Sequence, residues 1–435
     1  MTRGFQVAAL IGIFTFSGNV VHGQSAFGAG EHWVATWATS QDMAPTTPDR
    51  PVLPPDMKRP DFQNMKGVKR PSPNIPTGVE NQTVRMVVHS SIGGGRMCIE
   101  LANAFGKSSV SVGSVHVAAA SAGGAINSGT DRPLTFSGRE SFELRPGAIV
   151  VSDPVDFDLK PMSDLAVSVF VVKGEGIPTN HTLGLHSSYI TKGDTTSSAS
   201  LPESTTTTAY LWLRSIDVAA GDRDFGIACL GDSITDGFKT TVDANQAWPT
   251  LLAKRFSELK GGARVAVLNQ GISGNQVLRD GAGVSALARF DRDVLSEPGV
   301  RWVILLEGIN DINIHGQITG EGGLVAEDLI GGYKQIIARA HMQNIKVAGA
   351  TLTPDAGVWL AGPVGEATRQ KVNEWIRTSK SFDAVIDFDA ATRDPSDPTR
   401  LLTKFDSDDH IHPNDPGNAA MADAVRLKDF LSNAK

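Results

Sequence analysis

Cysteine is almost missing from this chain, with only Cys98 and Cys229 among 435 residues. That scarcity excludes a disulfide-stapled scaffold and any four-cysteine metal site. Both cysteines sit in apolar, strand-like stretches, residues 97–101 and 225–230, which favours buried free thiols while leaving a pairing open. Positive charge is not in excess. Forty Lys plus Arg against 47 Asp plus Glu give a net charge of −7, which argues for solubility and against nonspecific attraction to nucleic acid or anionic membranes. Past the N-terminus no run is long and apolar enough to span a bilayer, so stable membrane insertion is not expected. Nor is there an internal repeat. What the chain does have is a globular composition, 40% apolar and 20% charged, over a length well beyond the ~150 residues typical of one domain. Two domains are expected, or one enlarged by insertions.

Arg3, a mostly apolar run over residues 5–16, and small or polar residues through Gly23 and Ala26 follow the order of a secretory signal. The signal is expected over residues 1–24, and a secreted or periplasmic location follows. The run is too short to be a membrane anchor, which needs ~20 apolar residues. Residues 25–222 read as a β-rich domain. A short strand at 33–37 leads into a proline-rich excursion over 41–80, which holds nine of the 23 prolines. Proline fixes φ and removes a donor, so this segment is expected at the surface. Short β-branched runs follow at 83–89, 96–101, 110–118, 148–151 and 165–172, punctuated by Gly, Pro, Asn and Asp. That spacing is the pattern of an antiparallel sandwich, or of a jelly-roll. A Ser/Thr-rich stretch at 195–208 and a strand at 210–218 precede a boundary near Asp222.

From residue 223 to 435 the texture changes. Five apolar runs, at 225–230, 264–268, 302–306, 345–351 and 384–388, alternate with helical patterns at 248–259, 325–342, 364–379 and 418–431. Such alternation predicts right-handed crossovers and a parallel sheet covered on both faces, with a ligand site outside the C-terminal strand ends. Residues with useful chemistry fall at those ends. The first run leads into Gly231-Asp-Ser233-Ile-Thr-Asp-Gly237, where a serine in a strand-to-helix turn can expose its hydroxyl. The second leads to Gly274, which allows close backbone approach to a ligand, and the third to Asn310, an uncharged amide donor. Near the C-terminus, Asp409 precedes His412 by three residues on a loop. At that spacing the carboxylate can hold one ring nitrogen and leave the other to take a proton from a serine. Each piece alone reads as turn chemistry; their recurrence at successive strand ends does not.

Taken together, these residues resemble the four blocks of the SGNH, or GDSL-type, hydrolase superfamily: Ser233 within Gly-Asp-Ser, Gly274, Asn310 within Gly-Ile-Asn-Asp, and Asp409 with His412. The resemblance covers about the last 210 residues, with Ile234 standing where many members have leucine. It implies a flavodoxin-like three-layer α/β/α domain with a five-stranded parallel sheet and esterase chemistry. Ser233, His412 and Asp409 would form the triad. The N–H groups of Ser233 and Gly274, with the Asn310 amide, would bind the oxyanion. Neither acylation nor deacylation requires a metal or an organic cofactor. Asp408, His410 and His412 cluster closely, but a hydrolytic zinc usually takes three protein ligands and His412 is needed as the base. Asp232 and Asp311 are expected to brace their turns, His410 to be a wall or structural residue, and Asn275 and Arg279 either to line the pocket or to lie on a solvated loop.

The expected substrate is a small-molecule or polysaccharide ester. Export and the additional β-rich domain favour removal of acetyl or acyl groups from carbohydrate, the latter by fold-level analogy. A short-chain arylesterase or lipase is the alternative within enzymes. A carbohydrate-binding protein with a degenerate hydrolase fold is the alternative outside them. Oligomeric state is not legible.

Overall fold

The computed structural model describes residues 27–28, 30–42, 74–201, 203–317 and 323–431. The expected signal segment and most of the proline-rich excursion lie outside the described residues. The first half is built from antiparallel sheets. One sheet has the order His32–Ala38, Leu213–Ala220, Gly94–Ala102 and Ile149–Val151, and Val155–Leu159 also pairs with Gly94–Ala102. A larger sheet runs Thr205–Thr207, Ser188–Lys192, Gly78–His89, Asp164–Glu175, Val110–Ala119 and Arg132–Leu134, with Phe142–Leu144 also paired to Val110–Ala119. Alternation decides which side faces in. Val110, Val112, Val115 and Val117 are buried along one strand, and they join Val84, Met86, Ile99, Leu101, Val167, Val169, Ile216 and Val218 in a core shared by both sheets. The break in period between Val112 and Val115 is a bulge in the pairing with Asp164–Glu175.

The strand expected at 210–218 is two strands. Tyr210–Leu211 pairs with Asn180–His181, and Leu213–Ala220 belongs to the first sheet. Trp212 sits between them at φ +59, and its N–H donates to Thr179 O. One left-handed residue therefore redirects the chain, which an apolar run cannot reveal.

The second half contains a five-stranded parallel sheet in the order Val265–Gly271, Phe225–Gly231, Val300–Leu306, Lys346–Ala350, Ala384–Ile386. In chain order this is 2-1-3-4-5. The topological switch point, where a crevice opens at the C-terminal strand ends, is between the first and third strands. Helices Trp248–Ser257, Ala326–Met342, Pro363–Thr378 and Asp415–Ala424 cover the sheet, each burying an apolar stripe such as Leu329, Tyr333, Ile336 and Ala340. The helix expected at 418–431 is interrupted. It ends at Ala424, with Val425 extended at φ −76 and ψ 120, and resumes as Leu427–Leu431. Cys98 and Cys229 are buried free thiols in separate halves.

The two halves are bonded together along the edge strand Val265–Gly271. The Ser91 hydroxyl donates to Val267 O and accepts from Val267 N, at 2.9 and 3.2 Å. Ala35 N donates to Pro298 O. Leu268 packs with Ala35 and Ala38. Buried Arg214 joins Glu100 of the β-rich half to Glu297 of the other, the latter at 2.8 Å.

Candidate active site

The first parallel strand ends at Gly231. Asp232 then acts as N-cap, its carboxylate accepting the Ile234 N–H at 3.0 Å, so Ser233 opens a four-residue helix, Ser233–Asp236. Gly237 ends that helix at φ +100, where a Cβ would meet Ala247 and Leu185 at 2.6 and 2.7 Å. Glycine is required there by both conformation and space. These constraints hold Ser233 at the sheet edge.

The loop before helix Asp415–Ala424 brings His412 to it. Asp408 and His410 adopt left-handed φ values of +66 and +69, which compresses the loop. His412 Nε2 lies 2.8 Å from Ser233 Oγ, and His412 Nδ1 lies 2.8 Å from Asp409 Oδ2. The other Asp409 oxygen accepts the backbone N–H of His412 at 3.0 Å and that of Ile411 at 3.3 Å. Burial opposes ionisation of Asp409, but the bond and charge of His412 and the backbone donors outweigh it, holding the carboxyl at about 2. An ionised Asp409 fixes the proton on Nδ1 and leaves Nε2 to accept from the Ser233 hydroxyl. Phe238 packs edge-on against the His412 ring, centroids 4.6 Å apart.

Gly274 lies in the loop after the second strand, at φ +83. That loop rests against the nucleophile turn: Ile272 N donates to Gly231 O, and Asp236 Oδ2 accepts both the N–H and the hydroxyl of Ser273, at 3.0 and 2.7 Å. Asn310 sits in helix Ile309–His315, immediately beyond the third strand. Its amide donates to Asn275 O at 3.0 Å, which leaves its second N–H uncommitted in that bond. Ser233, Asp409 and His412 therefore form one hydrogen-bonded chain, with Gly274 and Asn310 on the loop and helix beside it.

The neighbours expected to brace their turns do so, with one difference. Asp311 braces the Gly274 loop rather than its own, accepting Val277 N and Leu278 N at 2.8 and 3.1 Å. His410 is structural: its backbone N–H and its Nδ1 both meet Asp406, at 2.9 and 2.7 Å. Asn275 is buried and bonded to Ala282 O, Val284 O and Arg289, so it shapes the loop, whereas Arg279 is exposed. Among the described residues no group of three His, Cys, Asp or Glu side chains is arranged to hold a metal ion.

Two supports were not legible in the sequence. Arg289, fully buried, donates to Gly231 O, Gln270 O, Asn275 Oδ1, Ser40 Oγ and Asp293 Oδ2. It ties the ends of the first and second parallel strands to the Gly274 loop and to the β-rich half. Glu307 lies 3.6 Å from its guanidinium, and burial and Asp232 push the Glu307 carboxyl well above the carboxylate range. The second support is His181, which reaches Asp236 from the β-rich half, Nε2 to Oδ1 at 3.1 Å.

The sequence model of the GDSL-like Lipase/Acylhydrolase family matches residues 229–420. No curated protein matches significantly. Among solved structures the chain is similar to a psychrotrophic esterase from Pseudoalteromonas sp., at 19% identity over 48% of this chain and 100% of that one, with a TM-score of 0.35. A catalytic mutant of an acetylxylan esterase from Geobacillus stearothermophilus shares 21% identity over 47% and 94% of the two chains, with a TM-score of 0.34. A putative acylhydrolase from Bacteroides fragilis shares 18% over 50% and 91%, with a TM-score of 0.36. Residues 229–420 thus match the GDSL-like lipase/acylhydrolase family, and that match supports carboxylic ester hydrolysis as the chemistry of this half of the chain.

Proposed function

We propose that the protein is an exported serine esterase that removes acetyl or other short acyl groups from carbohydrate. The observation that carries the nucleophilic mechanism is the chain of 2.8 Å contacts from Ser233 Oγ through the His412 ring to Asp409. Ser233 Oγ attacks the ester carbonyl carbon while His412 Nε2 takes the hydroxyl proton. Asp409 keeps the tautomer and stabilises the imidazolium. The N–H groups of Ser233 and Gly274 and the free amide N–H of Asn310 hold the oxyanion, and each such donor is worth roughly 3 kcal/mol in the transition state. The intermediate collapses, the C–O bond to the alcohol breaks, and His412 protonates the departing oxygen. Water, deprotonated by the same imidazole, then releases the acid and restores Ser233.

Export is supported by the basic, apolar and small-residue order of residues 1–26. Among the described residues no helix is long and apolar enough to cross a membrane. The carbohydrate reading rests on export and on the β-rich half. It is tested by acetate release from acetylated xylan or pectin, set against chain-length preference on p-nitrophenyl esters, with Ser233→Ala as control. Acetate release that Ser233→Ala abolishes is expected. Turnover confined to long-chain or aryl esters would replace the carbohydrate reading with a lipase or arylesterase.

A further inference from the structure

His181 lies in the two-residue strand Asn180–His181, on the β-rich side of the cleft between the halves, and is 4% exposed. Acceptors meet both of its ring nitrogens. Nδ1 is 2.7 Å from Ser40 O, and Nε2 is 3.1 Å from Leu183 O and 3.1 Å from Asp236 Oδ1. A carbonyl oxygen can only accept, so satisfying one carbonyl at each nitrogen requires both to carry protons. The ring is therefore an imidazolium. Its counter-charge is Asp236, whose other oxygen accepts the N–H and hydroxyl of Ser273, the residue before Gly274.

We infer that His181 is a positioning residue for the oxyanion loop: the imidazolium fixes the Asp236 carboxylate, and Asp236 fixes Ser273 and hence the direction of the Gly274 N–H. The inference rests on the proposed oxyanion role of Gly274. It makes the β-rich half a working part of the esterase, since both His181 and its backbone acceptor, Ser40, come from there. Ser40 reaches the same strand ends through its hydroxyl, which bonds Gln270 Oε1 and accepts from Arg289.

The arrangement has a pH signature. The groups facing His181 are Asp236, the carboxylate of Asp42 at 3.7 Å and the phenol of Tyr210, stacked at 6.4 Å between centroids. Elsewhere in the same cleft, His89 is held by Asp164, and His186 meets Asn245 with Asp243 3.6 Å away. Burial disfavours the charge on His181, but Asp236, Asp42 and the Ser40 carbonyl outweigh it and lift the imidazole to about 9. Because the folded value is raised, the charged pair is intact below the ordinary histidine range and is lost as pH rises through about 9.

The test is kcat and KM for a soluble acetate ester, triacetin, followed by pH-stat from pH 6 to 10. Full-length wild type, His181→Gln and Ser233→Ala are compared, each with its melting temperature. Glutamine carries no charge, and both of its N–H donors sit on one nitrogen, so it cannot reproduce donation from the two separate ring nitrogens. His181→Gln should lower kcat about 10- to 100-fold with KM within about 3-fold, as expected for a misaimed oxyanion donor. Wild type should lose kcat above about pH 9, and His181→Gln should lack that alkaline limb. Wild-type kcat in His181→Gln, or an alkaline limb unchanged by the substitution, overturns the inference while an inactive Ser233→Ala leaves the esterase reading standing. An active Ser233→Ala overturns both. If His181→Gln does not fold, Ser273→Ala tests the other end of the relay: kcat reduced about 3- to 10-fold at constant KM supports it, and unchanged kcat overturns it.

Discussion

At Asp409 one carboxylate does two jobs. One oxygen holds the His412 ring and the other holds the His412 and Ile411 backbone N–H groups, so charge and loop shape are fixed together. Asp409→Asn keeps the volume but removes the charge and permits the wrong tautomer. It should lower kcat on the order of 10³- to 10⁴-fold in p-nitrophenyl acetate hydrolysis, with KM changed little. Stability should respond to acid in a defined window. The folded carboxyl is depressed to about 2, so its contribution is complete above the ordinary aspartate value of 3.8 and lost as pH falls through about 2. Urea midpoints of wild type should exceed those of Asp409→Asn above about pH 4 and converge with them near pH 2. Ser233, Gly274, Asn310, Asp409 and His412 could be singled out in the sequence because together they match a four-block resemblance, and the structure brings Ser233, His412 and Asp409 into one hydrogen-bonded chain. Arg289 and His181 could not be singled out. Their meaning depends on partners 249 and 55 residues away, Ser40 and Asp236, and a single arginine or histidine in a mixed segment carries no sign of that.

The elements that carry the site are positioned by close approach more than by propensity. The helix Ser233–Asp236 is too short to be stable alone. It is pressed onto the second parallel strand, where a Cβ on Gly271 would stand 2.3 Å from Asp236 N and 2.6 Å from its Cα. Both of those atoms are backbone, so Gly271→Ala must displace the nucleophile helix or the strand end. Misplacement by a fraction of an ångström to one ångström costs up to about 100-fold in rate. Gly271→Ala should therefore lose about 10- to 100-fold in kcat/KM for p-nitrophenyl acetate while circular dichroism still reports a folded protein. Activity equal to wild type would show that the contact relaxes elsewhere. The alternation of strand and helix was readable from hydrophobic period, and the parallel sheet followed from it. The breaks at Trp212 and Val425 were not readable, because each turns on the φ and ψ of one residue within an apolar run. Short strands such as Arg132–Leu134 and Phe142–Leu144 were missed for a related reason: three residues are too few to show a period.

Across the whole molecule, the β-rich half serves as more than an appendage. An edge strand presents unpaired N–H and C=O groups, and at Val265–Gly271 the Ser91 hydroxyl takes both the N–H and the C=O of Val267. Ser40 bonds Gln270 on the same strand, Arg214 clamps Glu297, and His181 reaches Asp236. The site is thus framed by both halves, although the residues proposed to touch substrate come from the second. The central claim is that Ser233 is the nucleophile, and covalent trapping tests it most directly. The full-length enzyme is treated with a p-nitrophenyl alkylphosphonate, and both residual esterase activity and the mass of each serine-containing peptide are followed. The account predicts one adduct per chain, on the peptide bearing Ser233, formed in proportion to lost activity and absent from Ser233→Ala. Complete inactivation with Ser233 unmodified would contradict it.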